Sequence, residues 1–224
     1  NKKIFMDIFK PINKPFNNNF HAGTLSFEMS CLNEKIITNC GNLDRGYDKG
    51  QEYLRFSAAH STIVLNNTNI SELIEKKSYK RAPQNIHINT YEDNNTITWE
   101  ASHDGYIKNY KKIIKRKFTI SKNTNAIFGQ DEIMSTKITK NVDNYSIRFH
   151  LFPNINCLLT NDKKTVLFKT KKNQSWVFKS NSDILIEDSI YVGGGGVVEQ
   201  NKQIVIYGTI KNSKKIEKWS IIKK

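Results

Sequence analysis

Apolar and polar positions alternate with a period of two in segment after segment of this chain. Between Gly23 and Cys31 the apolar Leu25, Phe27 and Met29 are separated by Thr24, Ser26, Glu28 and Ser30, which predicts a strand that buries one face of a sheet. The same alternation marks Ile97-Trp99-Ala101, Ile114-Arg116-Phe118-Ile120 and Tyr145-Ile147-Phe149-Leu151. Further β-rich runs cover 164–169, 175–178, 184–186, 203–210 and 215–222. Asp93-Asn94-Asn95, Asn161-Asp162 and Asn212-Ser213 separate them as turns.

One stretch breaks this rhythm. Ile70 to Lys80, with Asn69 and Ser71 as potential caps, has the spacing of a short helix. The first twenty residues are less regular, with Pro11, Pro15 and the run Asn17-Asn18-Asn19, and are expected to form an extended lead-in. The fold class expected is therefore all-β: a large antiparallel β-sandwich with at most one or two short helices. The expected boundaries are a lead-in over 1–19 and one sandwich domain over 20–224.

Composition fits a globular domain, with 38% hydrophobic and 25% charged residues. No apolar run approaches the ~18 residues of a membrane-spanning helix. The chain starts at Asn1 without a charged and apolar leader, as expected for a piece of a longer protein. The formal net charge is +14, but only Arg45, Arg55, Arg81, Arg116 and Arg148 among the 35 basic residues are arginine. Lysines spread along the whole chain read as solvated surface, so nucleic acid is not the expected partner. Such a charge still steers polyanions, an acidic polysaccharide among them. Cys31, Cys40 and Cys157 form no Cys-x-x-Cys pair and read as small buried residues.

Chemistry falls first to the five histidines. His21 stands at the mouth of the first strong strand. His60 lies in the small-residue run Ser57-Ala58-Ala59-His60-Ser61, which permits close approach. His103 precedes Asp104-Gly105 and reads as a turn residue. His87 alternates with Ile86 and Ile88 and reads as an exposed strand residue. His150 shares a strand face with Arg148; that face reads as solvated, or as a polar surface able to grip sugar. Gly193 to Gly196 lacks the Lys-Ser/Thr of a phosphate loop and reads as a flexible crossover.

Three segments in order, His21-Ala-Gly-Thr-Leu-Ser-Phe-Glu-Met29, Ile36-Ile-Thr-Asn-Cys-Gly41 and Arg55-Phe-Ser-Ala-Ala-His-Ser-Thr-Ile63, resemble the opening of the heparinase II/III C-terminal domain. Ala101-Ser-His-Asp-Gly-Tyr106, Arg148-Phe-His-Leu-Phe-Pro153 and Glu187 to Gly196 extend the resemblance to nearly the whole chain from Phe20. The resemblance implies a β-sandwich that follows an α/α toroid, with the cleft for an acidic polysaccharide between the two. It implies a lyase that works by β-elimination, in the periplasm or cell envelope, with a toroid Tyr, His and Asn doing most of the chemistry and the sandwich adding a histidine. His21 and His60 are then the catalytic candidates, and Asn19, Arg55, Arg148 and His150 the substrate-binding ones. The family's His-x-His-x-Asp, later Asp, and His fall here on Asn19, His21, Gly23, Asn39 and His60. No cofactor is expected; where members bind a metal, the equivalent ligands would be His21, Asn39 and His60.

Overall fold

The computed structural model describes residues 2–11, 20–42, 52–74, 78–137, 141–211 and 213–224. In chain order the strands are β1 (Lys2–Met6), β2 (Phe27–Cys31), β3 (Glu34–Thr38), β4 (Ile63–Leu65), β5 (Glu72–Ile74), β6 (Ser78–Arg81), β7 (Ile86–Glu92) and β8 (Thr96–His103). A single helical turn, α1 (Ile107–Tyr110), precedes β9 (Lys112–Ser121), β10 (Ala126–Ser135), β11 (Asp143–Leu151), β12 (Asn156–Leu159) and β13 (Thr165–Lys169). The chain closes with β14 (Ser175–Ser180), β15 (Ile184–Val192), β16 (Val198–Ile210) and β17 (Lys214–Lys223).

The long strands form two antiparallel sheets that face each other as a sandwich. The first runs β1-β2-β3-β11-β16-β15, with β4 also paired to β11. The second runs β12-β13-β14-β17-β10-β9-β8-β7. Strict alternation in β9 buries Lys112, Ile114, Arg116, Phe118 and Ile120 and turns the residues between them outward, as one buried sheet face requires. Phe27, Phe149 and Ile206 of the first sheet meet Phe118, Phe178 and Trp219 of the second in one core. The Trp219 ring stacks against Phe27 at 5.8 Å and Phe178 at 6.1 Å, and meets Phe118 and Phe149 edge-on at 5.5 and 4.9 Å. Gly129 lies opposite Trp219 across the β10–β17 ladder, and a Cβ there would come within 2.1 Å of the indole.

Two charged groups of β9 also enter this interior. Arg116 pairs with Asp131 of β10 at 2.6 and 3.0 Å, and Lys112 pairs with Asp143 at 3.1 Å. Both pairs are buried, so each partner is needed to hold the other's charge.

The sandwich matches the expected fold class, with several local differences. The helix expected over 70–80 does not form among the described residues: β5 and β6 pair as a small antiparallel hairpin. The Arg55 guanidinium donates to the Ile74 and Ser78 carbonyls at 3.2 and 3.0 Å, a long-range tie that overrides a local helical spacing. The first strong strand starts at Phe27, because Leu25 has positive φ (60°) in a turn closed by Ser26 N–H donating to the Gly23 carbonyl. At the N-terminus, where an unpacked lead-in was expected, residues 2–6 are hydrogen bonded to β2 as an edge strand. Gly193 to Gly196 connects the antiparallel neighbours β15 and β16 through a short 3-10 turn, so it is a hairpin link where a crossover was expected. Among the described residues no helix is long and apolar enough to cross a membrane.

Candidate functional site

His21 and His60 come together where the segment leading into β2 meets two 3-10 turns, Glu52–Arg55 and Ser57–Ala59. His21 Nδ1 lies 3.2 Å from His60 Nε2, and the rings meet edge-on with centroids 5.3 Å apart. On its other side His60 Nδ1 lies 2.8 Å from the Phe56 carbonyl. A carbonyl only accepts, so His60 carries its proton on Nδ1 and turns its Nε2 lone pair to His21. His21 Nδ1 faces that lone pair, and further hydrogen bonds to Asn42 and to the Leu54 backbone hold the His21 ring.

Both rings are held neutral. Burial, reinforced by the neighbouring Arg55 cation, lowers the His21 pKa to about 4, against hydrogen bonds to Asn42 and the Leu54 backbone that raise it. Burial, with repulsion between imidazolium forms from the neighbouring His21 and His150, lowers that of His60 to about 3, against the Phe56 hydrogen bond. His60 is buried while His21 is partly exposed, with exposed Tyr53 and Phe56 nearby in the chain. Gly23 makes the pairing possible, since a Cβ at that position would fall 2.6 Å from the His60 ring.

Long-range hydrogen bonds fix the two histidine segments. Arg55 is fully buried and donates from Nε to the Phe20 carbonyl at 2.9 Å, while its own carbonyl accepts from Ala22 N–H at 2.8 Å. Ser57 Oγ donates to the Ala22 carbonyl at 2.6 Å, and Thr62 Oγ1 donates to the Thr24 carbonyl at 2.9 Å. From the opposite sheet, Arg116 Nη1 donates to the carbonyls of Leu25 and Ser61 at 2.9 and 2.7 Å. One guanidinium thus ties down the segment after His21 and the segment after His60 together. Nothing in the local pattern of β9 signals this role; an arginine at an inward-facing position is its one trace in the sequence.

The other candidates take different places. Asn39 Oδ1 accepts from Ser61 N–H at 2.9 Å, and its Nδ2 donates to Glu28 Oε1 at 3.3 Å. His150 is buried, where a solvated face was the expectation: the Ala58 carbonyl caps its Nε2 at 3.0 Å and Ser189 Oγ meets its Nδ1 at 2.8 Å. Burial lowers its pKa to about 4. Arg148 lies on the outward face of β11 with Glu187 Oε2 at 3.3 Å, Gln203 Oε1 at 3.1 Å and Tyr207 Oη at 3.4 Å. Asn19 lies outside the described residues. His103 is not in the turn but ends β8, buried, with the local hydrogen bond from Gly105 N–H at 3.1 Å; His87 is exposed as expected.

As they are bonded, His21, Asn39 and His60 fit a divalent metal poorly. His60 Nδ1 and Asn39 Oδ1 are committed to the protein, the set holds no anionic donor, and among the described residues no three His, Cys, Asp or Glu cluster as ligands. The arrangement can instead hold a neutral imidazole in a fixed place at the protein surface, with a rigid cation behind it.

Solved structures of heparinase-type proteins carry a similar sandwich. The heparan sulfate lyase of Pedobacter heparinus superposes with a TM-score of 0.73 at 12% identity, over 91% of this chain and 30% of that one. A heparinase III gene product gives the same TM-score, identity and coverage, and a further heparinase III gives 0.67 at 13% identity, again over 91% and 30%. The chain thus spans about a third of the length of these proteins, and at such identities the likeness is one of fold. A comparison with curated protein sequences finds no match. The family model described as "Heparinase II/III-like, C-terminal" matches residues 1–220, and on that match the chain belongs to the heparinase II/III-like C-terminal domain family.

Proposed function

We propose that the chain is the sandwich part of a polysaccharide lyase that cleaves an acidic, uronate-containing polysaccharide by β-elimination. The observation that carries this reading is the His21–His60 pair: two neutral imidazoles in direct contact, locked from both sheets, with only His21 partly exposed. In the elimination the C5 proton leaves to a base, the C4–O bond breaks, a C4=C5 double bond forms and the leaving oxygen takes a proton. An α/α toroid in the same protein supplies the opposite wall of the cleft and most of the proton transfer. His21 contacts the reacting sugar from the sandwich side, and His60 holds its ring in place. Arg55 acts through His21 as a positioning residue; buried among carbonyls, it does not reach the sugar itself. The family resemblance favours the periplasm or cell envelope as the place of action.

The test joins this chain to its upstream region and follows the absorbance of the unsaturated uronate on heparan sulfate, heparin and alginate. Turnover on one of them, lowered about 100-fold or more by His21→Ala, supports the proposal. No product from any of them refutes it.

A second reading, a non-catalytic sandwich that binds acidic carbohydrate or supports its partner domain, is favoured by Gly23 and Asn39. Glycine is sterically demanded at 23, and the Asn39 amide is consumed in tying the end of β3 to Ser61. Retention on a heparin column that survives both His21→Ala and His60→Ala, without turnover, would select it.

A further inference from the structure

The outward side of β11 carries a second feature, away from the histidine pair. Ser146 pairs with Val64 of β4 and with Tyr207 of β16, so the three side chains lie in one row across the outer face of the first sheet. Around them is a cleft of about 240 Å³, walled by Asn66, Asn67 and Asn144. Tyr207 is 39% exposed, whereas Ser146 is buried and its Oγ has no hydrogen-bond partner among the described residues. The same holds for Nε of Arg148, two residues further along the same face. A buried hydroxyl left without a partner costs on the order of 1–3 kcal/mol, so a fold that keeps one beside an open cleft points to a group that arrives there.

The lining chemistry defines that group. Asn66 spends one amide hydrogen on Asp143 Oδ1 and one lone pair on Asn144 N–H, each at 2.8 Å, and keeps one of each; with the other carboxamides, the Ser146 hydroxyl and the apolar face of the tyrosine ring, the lining suits the hydroxyls, acetamido group and C–H face of a pyranose ring. No charged side chain lines the cleft among the described residues. The cation beside it, Arg148, is paired with Glu187, and Glu187 Oε1 also accepts from Tyr207 Oη at 2.8 Å. On a chain of net charge +14, an uncharged cleft is suited to the part of a glycan that carries no sulfate. We propose that Asn66, Asn144, Ser146 and Tyr207 form a sugar subsite that holds an unsulfated pyranose unit of the polysaccharide, apart from the reacting unit at His21. This deepens the lyase reading and rests on it for the identity of the polymer.

The experiment titrates the isotope-labelled chain with an unsulfated tetrasaccharide of alternating glucuronate and N-acetylglucosamine, and in parallel with a heparin tetrasaccharide. Amide shifts at residues 66, 144, 146 and 207 are expected with the unsulfated probe, with affinity changing less than about twofold between low and high salt. Ser146→Ala should weaken binding about fivefold without lowering the unfolding midpoint, because the hydroxyl bonds to nothing among the described residues; Tyr207→Ala should weaken it about tenfold or more. Shifts confined to the histidine segments, no shifts at millimolar probe, or binding by the heparin probe alone would each overturn the proposal. Binding at this cleft together with full turnover by His21→Ala would remove the assignment of His21 while leaving the subsite standing. Turnover that depends on His21, with no shift at the cleft, would do the reverse.

Discussion

Replacing Arg116 by methionine isolates what holds the two histidine segments in register. The substitution removes the partner of Asp131 inside a fully buried pair, and leaving one charge of such a pair uncompensated costs about 3–5 kcal/mol. It also strips a guanidinium donor from the Leu25 and Ser61 carbonyls, each a buried acceptor worth on the order of 1 kcal/mol or more. Trp219 Nε1 still donates to Asp131 at 2.9 Å, which keeps the loss near the lower half of the combined range. Against a typical domain stability of about 5–15 kcal/mol, the variant should remain folded but with its denaturation midpoint well reduced. Adding Asp131→Leu relieves the stranded charge and should recover much of the stability. It cannot restore the two carbonyl hydrogen bonds. Urea denaturation reads the first effect, and the His21 and His60 titrations by NMR read the second. Both the single and the double variant should show the His60 pKa rising from about 3 toward the ordinary value as water reaches a loosened segment. A single variant that loses less than about 1 kcal/mol, or a double variant whose histidines titrate as in the parent, would refute the idea that Arg116 positions the pair.

Other outcomes are expected from the same region. Gly23→Ala drives a methyl into the His60 ring and should cost about 1–3 kcal/mol, and the histidine NMR spectrum of this variant should no longer show the His21–His60 hydrogen bond. Stability should fall with acid: the pKa values of His21, His60, His103 and His150 lie at about 4, 3, 3 and 4 in the fold, below the ordinary value near 6.5. The unfolded chain therefore binds more protons as pH drops, so the contribution is whole above about pH 6.5 and is lost from there down toward pH 4 and 3. Urea midpoints measured across that window should decline steadily, and a flat profile between pH 7 and pH 5 would contradict it. Zinc at a tenfold excess should leave the thermal midpoint unchanged, because Asn39 and His60 spend donor atoms on the protein; a rise of several degrees would show a metal site after all.

How far the sequence can be read depends on whether the deciding interaction is local. The alternation in β9 and β11 places Phe118, Ile147 and Phe149 in the core, because the period of a strand is a property of neighbours. Ile70 to Lys80 misleads for the opposite reason: its apolar spacing is helical, but Arg55 captures two of its carbonyls from a different segment. His150 alternates as an outward residue, and only the arrival of Ala58 and Ser189 over the sheet makes it a buried clamp. Of the candidate site, His21 and His60 are legible as residues but their pairing is not, since 39 positions separate them. Arg55 and Arg148 stand out in the sequence as cations, and each is occupied by partners that no pattern of spacing announces.

The ties into the histidine segments share a chemical habit. Arg55 grips Phe20, Arg116 grips Leu25 and Ser61, Ser57 grips Ala22, Thr62 grips Thr24 and His150 grips Ala58, and in each case the atom held is a main-chain carbonyl. A carbonyl is supplied by any amino acid, so this anchoring is indifferent to what the gripped residue displays. The rim of the site can therefore be rewritten without rebuilding its foundation. Exposed Tyr53, Phe56 and Ala58 are the positions where a combinatorial library should yield mostly folded proteins, and where natural relatives have the freedom to diverge fastest.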